Sequence, residues 1–253
     1  MTYQCVQVNG IDLYYQDVGE GPPVVFVHGF SGNHLSWWQQ IPAFADRYRC
    51  LAPDQRLFGR STDEPDGPGA TAHADDLIGL LDHLEVEEVA LVGHSMGGWP
   101  VAAFGSQYPE RTAALVLSGT PGGLLSADRH AELLDAGQAS LPDVDPLSRE
   151  DAFLSDAIEA LNTDRPDEFA SIRPTLEAFS IDPDRLVEGD VPTFLIAGEA
   201  DQFMPRNALE ALAARLEGAE YAIVDEAGHS ANVEQPAAFN QYVGAFLDEH
   251  VIV

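Results

Sequence analysis

The sequence predicts an α/β fold in which a mostly parallel sheet is covered by helices. Three observations support this prediction. Short, continuous apolar runs end in Gly, Ser or His, as strands buried on both faces do. Segments with the apolar period of helices alternate with these runs along the chain. The length of 253 residues suits one α/β domain with a large buried core.

The strands are predicted from the apolar runs. We expect central parallel strands at residues 24–27, 89–92, 113–117 and 193–197, and a last strand at 221–224. Upstream, residues 3–8 and 11–17 flank Asn9-Gly10, which is a strong hairpin signal. The sheet should therefore begin with an antiparallel pair.

The predicted helices lie between the strands, at residues 37–47, 70–84, 96–108, 206–216 and 235–249. Strands that alternate with helices indicate βαβ units with right-handed crossovers. Between residues 121 and 190 this alternation stops, and three amphipathic stretches follow at 127–141, 149–161 and 167–179. We expect a helical insertion in a core formed by residues 1–120 and 191–253.

The charge of the chain is strongly negative. There are 42 acidic and 12 basic residues, a net charge of −30, and every basic residue is Arg. This balance excludes nucleic acid as a natural partner and argues against anionic membranes. No apolar stretch is long enough to span a bilayer, and the first residues lack the features of a secretory signal. We expect a cytoplasmic monomer or homodimer that acts on a small molecule, with an acidic surface like that of proteins from extreme halophiles.

Cysteine and histidine usage indicates no metal site, and we also expect no cofactor. Cys5 and Cys50 are too few for a disulfide framework, and we expect both to be buried apolar residues. Five histidines show no metal-ligand spacing and are expected at the surface: His34, His73, His83, His130 and His250.

A nucleophile is predicted at Ser95. The segment Gly-His-Ser-Met-Gly at residues 93–97 fits G-x-S-x-G, directly after a predicted strand and directly before a predicted helix. In that context the serine sits on a strained turn that lifts its hydroxyl above the sheet, and the helix N-terminus favours developing negative charge.

A serine hydroxyl needs a base, and the base needs an acid that orients it. His229 lies in the loop after the strand at 221–224, and Asp201 lies just past the strand at 193–197. All three groups then project from the carboxyl edge of one sheet, in the chain order Ser, Asp, His. Glu199 and Asp225 remain alternative acids, and Asp201 is preferred because it lies deeper in its loop.

An oxyanion hole is predicted from two backbone amides, those of Phe30 and Met96. Phe30 belongs to His-Gly-Phe at residues 28–30, which follows another central strand. His28 and His94 are expected to pack around their loops rather than to transfer protons. Three tryptophans are expected to pack between helix and sheet, with pocket lining as the alternative: Trp37, Trp38 and Trp99.

These motifs, together with Gly198 to Asp201 and Gly228-His229, resemble the α/β-hydrolase superfamily, and specifically its small lid-bearing serine hydrolases and esterases. The resemblance spans nearly the whole chain. It implies an eight-stranded sheet and a lid formed by residues 121–190.

The chain departs from the family at two places. The family element Asp-x-Arg-Gly-x-Gly-x-Ser occurs at residues 54–61 with Leu57 in place of Gly. Pro100 lies in the first turns of the helix after Ser95, where it predicts a small kink or shift. Both departures concern local geometry rather than the three catalytic candidates.

The resemblance implies a serine hydrolase that cleaves a carboxylic ester or related carbonyl compound through an acyl-enzyme. An enol-lactonase or a C–C bond hydrolase on the same triad is the first alternative. A cofactor-free peroxidase and a non-catalytic ligand receptor are alternatives from other classes. The expected pocket residues are His34, Phe153, Phe203 and Met204. An anionic substrate would need a cation from the insertion, which offers Arg129, Arg149, Arg165, Arg173 and Arg185.

Overall fold

The computed structural model describes residues 2–64, 66–144, 149–162, 166, 168–177 and 181–251. Eight strands form one sheet in the order β1-β2-β4-β3-β5-β6-β7-β8. Their bounds are β1 (Thr2–Val8), β2 (Ile11–Val18), β3 (Pro23–Val27), β4 (Arg49–Pro53), β5 (Val89–His94), β6 (Thr112–Ser118), β7 (Thr193–Gly198) and β8 (Glu220–Val224). The predicted mostly parallel, eight-stranded sheet is confirmed.

The antiparallel start of the sheet is also confirmed. Val8 and Ile11 pair across a tight turn in which Asn9 and Gly10 have φ of 45° and 84°. Two successive positive φ angles are what a two-residue hairpin turn requires, and Asn and Gly tolerate them best. β2 pairs antiparallel with β4, and every later pair in the sheet is parallel.

β4 is the strand that the apolar runs did not locate. Only three apolar residues, Cys50 to Ala52, separate Arg49 from Pro53, so its apolar run is shorter than those of the other central strands. The strand is nevertheless buried between β2 and β3. Its extended conformation is decided by its burial between two neighbouring strands, and this burial cannot be recognised from the local sequence.

The helices have the following bounds: α1 (Ile41–Phe44), α2 (His73–His83), α3 (Gly98–Gln107), α4 (Ala127–Gln138), α5 (Arg149–Glu159), α6 (Phe169–Glu177), α7 (Pro183–Glu188), α8 (Arg206–Arg215), α9 (Ala231–Glu234) and α10 (Pro236–His250). The predicted single helix over residues 37–47 is wrong. A 3-10 turn at His34–Trp37 and the short α1 take its place. Pro42 has no amide hydrogen to continue a helix from the preceding turn.

Two apolar cores cover the faces of the sheet. One contains residues of α2, α3 and α8, among them Leu80, Phe104 and Leu212. The other contains residues of α1 and α10, among them Phe44 and Phe239. This arrangement buries both faces of the parallel strands and leaves their carboxyl ends free to carry a site.

α4 to α7 lie between β6 and β7, in the stretch of the chain where the helical insertion is expected. α4 packs on α8 of the core, and the side chain of Asn207 donates to the carbonyl of Leu133 over 2.7 Å. The third predicted stretch contains α6, and its two ends, Asp167 and Phe179, lie outside the described residues. None of the helices in the described ranges is long and apolar enough to cross a membrane.

Three expectations about cysteine and histidine burial are wrong. Cys5 is exposed on β1, whereas Cys50 is buried, and burial raises its pKa to about 12. His34 and His73 are buried rather than at the surface. Each has a polar partner inside the fold that makes burial tolerable: the carboxylate of Asp54 for His34 and the carbonyl of Arg56 for His73.

Candidate active site

Ser95 occupies a strained turn at the end of β5. Its φ of 51° lies in the left-handed region, which costs a non-glycine residue about 1–2 kcal/mol. A 3-10 turn over Ser95–Gly97 then leads into α3. A Cβ on Gly93 would lie 2.5 Å from the carbonyl oxygen of Gly97, so the tight turn requires glycine there. The strain and the glycines together hold the hydroxyl of Ser95 above the sheet.

His229 lies between Ser95 and Asp201. Its Nε2 is 2.9 Å from Oγ of Ser95, and its Nδ1 is 3.0 Å and 3.1 Å from the two carboxylate oxygens of Asp201. Asp201 is fully buried, and its Oδ1 also accepts the amides of Phe203 and Met204 over 2.8 Å and 3.1 Å. The buried carboxylate therefore sits in a fixed orientation behind the imidazole.

The two alternative acids lie elsewhere. Glu199 accepts the backbone amide of Glu226 over 2.9 Å, and Asp225 is exposed beyond the end of β8. Of the three carboxylates considered from the sequence, Asp201 is the one within hydrogen-bond distance of the imidazole.

Two further residues shape this arrangement, and the sequence reasoning missed both. A Cβ on Gly119, whose φ is 61°, would lie 2.9 Å from Oδ2 of Asp201 and 3.1 Å from Nδ1 of His229. Glu234 accepts the backbone amides on either side of His229, those of Gly228 and Ser230. Gly119 could have been found from its position directly after a central strand, where site residues of such sheets lie. Glu234 could have been found from its position about one helical turn after the loop that carries His229.

His94, next to the serine, lines the cavity instead of packing only behind the turn. Its ring centroid is 5.0 Å from that of His229. Burial and the neighbouring imidazole lower the pKa of His94 to about 3. The ring is therefore neutral at physiological pH and puts no second positive charge beside His229.

The loop that carries Phe30 approaches Ser95 from β3. A Cβ on Gly29 would lie 3.1 Å from the Cβ of Ser95, so the loop packs closely against Ser95 and leaves little room for a side chain. His28 packs beneath this loop, as predicted: Nδ1 donates to the carbonyl of Gly29 over 2.7 Å, and Nε2 accepts the amide of Gln55 over 3.1 Å. Because Nε2 accepts a hydrogen bond, the ring is neutral in this arrangement, and burial lowers the pKa of His28 in the same sense.

A cavity of about 510 Å³ opens beside Ser95. Phe30 and Met96 both line it, and five aromatic side chains contribute to its wall: Phe30, Trp38, Trp99, Phe169 and Phe203. Trp38 and Trp99 thus follow the alternative of pocket lining, whereas Trp37 is fully buried in the core. From the insertion, the guanidinium-bearing Arg173 also reaches the lining.

Of the four expected pocket residues, Phe203 lines the cavity and three do not. His34 lies behind the loop, where its Nδ1 is 2.7 Å from Asp54. Met204 is fully buried in the core next to α8, and Phe153 is 71% exposed on α5. These three assignments are wrong because the packing of the insertion, rather than closeness in sequence to the motifs, decides which side chains face the cavity.

The two departures from the family pattern are accommodated locally. Leu57 adopts a φ of 75°, the conformation for which glycine is usual, and its amide donates to the carbonyl of Ser61 over 2.7 Å. Pro100 is the third residue of α3, a position at which an amide hydrogen has no partner within a helix.

One group in the described part of the chain has metal-ligating residue types in proximity. Glu220, Glu249 and His250 bring their ligand atoms within 4.8 Å of one another. They lie at the amino end of β8, the opposite edge of the sheet from Ser95, so this group takes no part in the candidate active site.

Comparison with known proteins places the chain in a family. Residues 22–153 match the family model described as alpha/beta hydrolase fold, and residues 170–251 match the model of TAP-like proteins. The chain belongs to the α/β-hydrolase family. It is an enzyme of this family, and hydrolases are prominent among its relatives.

Three relatives illustrate the range of the family. The chain is 34% identical over 266 residues to the 2-hydroxy-6-oxononadienedioate/2-hydroxy-6-oxononatrienedioate hydrolase of Paraburkholderia xenovorans, covering 94% of this chain and 91% of that protein. It is 29% identical over 233 residues to a non-heme chloroperoxidase of Kitasatospora aureofaciens, covering 81% and 83%. A thermophilic esterase from Thermogutta terrifontis has the same fold, with a TM-score of 0.77, 25% identity and coverage of 99% and 100%.

Proposed function

We propose that this α/β hydrolase is a serine hydrolase that cleaves carboxylic esters or related carbonyl compounds through an acyl-enzyme. The observation that carries the proposal is the continuous hydrogen-bonded line from Ser95 Oγ through His229 to the buried carboxylate of Asp201. A serine, an imidazole and a carboxylate in this order are the parts that nucleophilic acyl transfer needs.

In the proposed reaction, Nε2 of His229 takes the proton of Ser95 while Oγ attacks the substrate carbonyl carbon. Asp201 stabilises the resulting imidazolium through Nδ1, and the imidazolium then donates its proton to the leaving alcohol. Water, activated by the same imidazole, attacks the acyl-enzyme and releases the carboxylic acid. The neutral ring of His94 does not oppose the charge that forms on His229.

The backbone amides of Phe30 and Met96 are the proposed oxyanion hole. Both residues line the cavity, and the loop of Phe30 is in close contact with Ser95. Each such donor is worth about 2.7–4 kcal/mol of transition-state stabilisation. The helix N-terminus that follows Met96 adds a favourable dipole.

We propose that residues 121–190 form a lid that, together with the aromatic wall, selects the substrate. Described residues of the insertion, including Leu125, Phe169 and Arg173, line the cavity beside residues of the core. An apolar, partly aromatic wall suits a small to medium acyl or alcohol group.

Hydrolysis of a C–C bond or an enol-lactone is a second candidate, because Arg173 lines the cavity and suits an anionic substrate. The full-length relative from Paraburkholderia xenovorans carries the name of a dioate hydrolase. The same three residues would serve: an enol-lactone is opened at its C–O ester bond, whereas in a C–C substrate the bond to the departing carbon breaks and that carbon takes up the proton from His229.

A substrate panel tests the proposal. It contains p-nitrophenyl esters of increasing chain length, lactones, thioesters and vinylogous keto acids, each assayed with wild type and with Ser95→Ala. Turnover that Ser95→Ala abolishes supports the serine mechanism, and the preferred class separates the two candidates. Halide oxidation that requires peroxide and a carboxylic acid would point to a peroxidase. A protein that binds a ligand tightly, shows no turnover and is not labelled at Ser95 by a fluorophosphonate would be a receptor.

A further inference from the structure

Asn162 of the helical insertion makes four hydrogen bonds to two loops of the core. Its Nδ2 donates to the carbonyls of Ser31 and Gly32 over 3.1 Å and 3.0 Å. Its Oδ1 accepts the amide of Gly59 over 2.8 Å and Nδ2 of Asn33 over 3.3 Å. The side chain is buried, and all of its donor capacity and two acceptor positions are used.

The two carbonyls that Asn162 holds belong to the turn that presents Phe30. The amide of Gly32 donates to the carbonyl of Gly29 over 3.1 Å and closes this turn around Phe30. Phe30 carries the amide proposed for the oxyanion hole, and Ser31 directly follows it. The position of that amide therefore depends on what fixes the carbonyls of Ser31 and Gly32.

A second contact strengthens the same anchor. The buried Asn33 donates through Nδ2 to the carbonyl of Ile158 in α5, over 2.9 Å. Its Oδ1 accepts the amide of Leu35 and caps the 3-10 turn at His34–Trp37. The insertion thus holds the end of the Phe30 turn through both a side chain and a backbone carbonyl.

The third attachment point of Asn162 is itself rigid. Gly59 packs so closely on the buried carboxylate of Asp54 that no Cβ would fit. Asp54 in turn accepts the amides of His34 and Arg60 over 2.8 Å and 3.0 Å. Asn162 therefore ties the Phe30 turn to a loop that is already fixed to the core.

We infer that Asn162 is a positioning residue for the oxyanion hole, so that the insertion completes the catalytic framework as well as covering the cavity. The inference rests on the proposed serine-hydrolase function. A surface turn has low intrinsic stability, whereas an oxyanion hole works only if its donors are held in place before the charge develops. Asn162 does not itself line the cavity, so it is placed to act through the Phe30 turn rather than by touching the substrate.

The test compares Asn162→Asp with a matched control, Asn240→Asp. The substituted carboxylate would keep the acceptor for Gly59 but present an oxygen, instead of an amide donor, to the carbonyls of Ser31 and Gly32. In α10, Asn240 likewise donates to a backbone carbonyl, that of Gln39, and accepts a side-chain amide, that of Gln40. The control has the same chemistry at a place that does not touch the Phe30 turn.

The readouts are kcat, KM and the inhibition constant of a trifluoromethyl ketone, which forms an oxyanion on Ser95. Asn162→Asp is expected to lower kcat roughly 10- to 100-fold, as misplacement of a catalytic group does. It should also raise the inhibition constant of the ketone by a similar factor, while KM changes little. The control, Asn240→Asp, should leave kcat and the inhibition constant near those of wild type. Equal behaviour of the two variants would overturn the inference.

A smaller change covers the case in which Asn162→Asp does not fold. Asn162→Ser keeps a shorter donor and acceptor, and it should give the same pattern at smaller amplitude. An Asn162→Ser variant with wild-type kcat and inhibitor binding would also overturn the inference. If wild type itself neither hydrolyses the panel nor reacts with a fluorophosphonate, the proposed function has failed instead.

Discussion

The ring of Phe203 packs edge-on against the imidazole of His229, with ring centroids 4.6 Å apart. Phe203 lines the cavity, whereas its neighbour Met204 is fully buried beside α8. Phe203→Ala should therefore enlarge the cavity next to the base and shift the preferred acyl chain to greater length. The measurement is kcat/KM across p-nitrophenyl esters of increasing chain length.

Met204→Ala is the matched control for that experiment. Removing a buried Met side chain costs about 2–5 kcal/mol of unfolding free energy, because a cavity remains in the core. The order of chain-length preference should stay that of wild type. If Phe203→Ala also kept the wild-type order, Phe203 would not contribute to chain-length selection.

A pair of substitutions at Ser95 separates chemistry from backbone strain. Ser95→Ala and Ser95→Gly both remove Oγ, so both should lower kcat by several orders of magnitude. Glycine tolerates the φ of 51°, however, and Ser95→Gly should be more stable than Ser95→Ala by roughly 1 kcal/mol in urea unfolding. Turnover near that of wild type in either variant would contradict the role of nucleophile, and equal stability would contradict the strain.

Asp201→Asn should lower kcat by about 10⁴-fold, as loss of the triad carboxylate does elsewhere. Here three donors converge on the carboxylate: the amides of Phe203 and Met204 and Nδ1 of His229. An asparagine amide would turn a fourth donor toward them, and the imidazole would lose its orientation. The measurement is single-turnover acylation, with Glu199→Gln as the control that should stay close to wild type.

The polar motifs could be predicted from sequence because each follows a strand of the parallel sheet. The runs that end at Val27, His94, Gly198 and Val224 place their loops at one edge, and chain order then suggests which loops carry nucleophile, acid and base. A continuous apolar run is a local feature of the sequence, so a strand can be recognised from it without knowledge of the fold.

The cavity wall could not be predicted in this way. Trp38, Trp99 and Phe169 face it because of how separate helices pack, and nothing in the neighbouring sequence distinguishes Phe169 from the exposed Phe153. The same holds for Asn162, whose four partners come from two segments more than 100 positions away. Contacts of such long range become visible only in the folded chain.

The buried carboxylate of Asp54 predicts a pH dependence of stability. Burial raises its pKa, but hydrogen bonds from His34 and Arg60 more than offset this and hold the pKa below its ordinary value. A carboxyl whose pKa is lower in the folded state contributes stability above its unfolded pKa of about 3.9, and this contribution is lost as the pH falls through the folded pKa.

Asp54→Asn should therefore destabilise the protein by about 1–3 kcal/mol at neutral pH. The difference from wild type should shrink below about pH 4, because asparagine does not titrate. Urea unfolding of both proteins from neutral to acidic pH, at high salt to damp the overall charge, measures this difference. A difference that stays constant over that range would show that the charge of Asp54 is not what stabilises the loop.

The surface charge predicts that salt stabilises the fold. Several arginines of the described chain already pair with carboxylates, as Arg47 with Asp248 and Arg215 with Asp184, yet 42 acidic residues face only 12 arginines. The excess charges repel one another in the compact state, and unfolding relieves this repulsion. The Debye length falls from about 10 Å at 0.1 M to about 3 Å at 1 M, so added salt screens the repulsion.

We expect the melting temperature and the esterase activity to rise between about 0.1 M and 2 M KCl, with the largest gain at the low end, where screening changes most. A variant with the exposed Glu87 and Glu88 changed to Gln should gain less from the first increments of salt, because less repulsion remains to be screened. Sucrose serves as the control solute, because it stabilises proteins by being excluded from their surface and does not screen charge. A melting temperature that is flat in KCl would refute the salt-adapted surface, and the assignments of Ser95, Asp201 and His229 would stand because they rest on their own geometry.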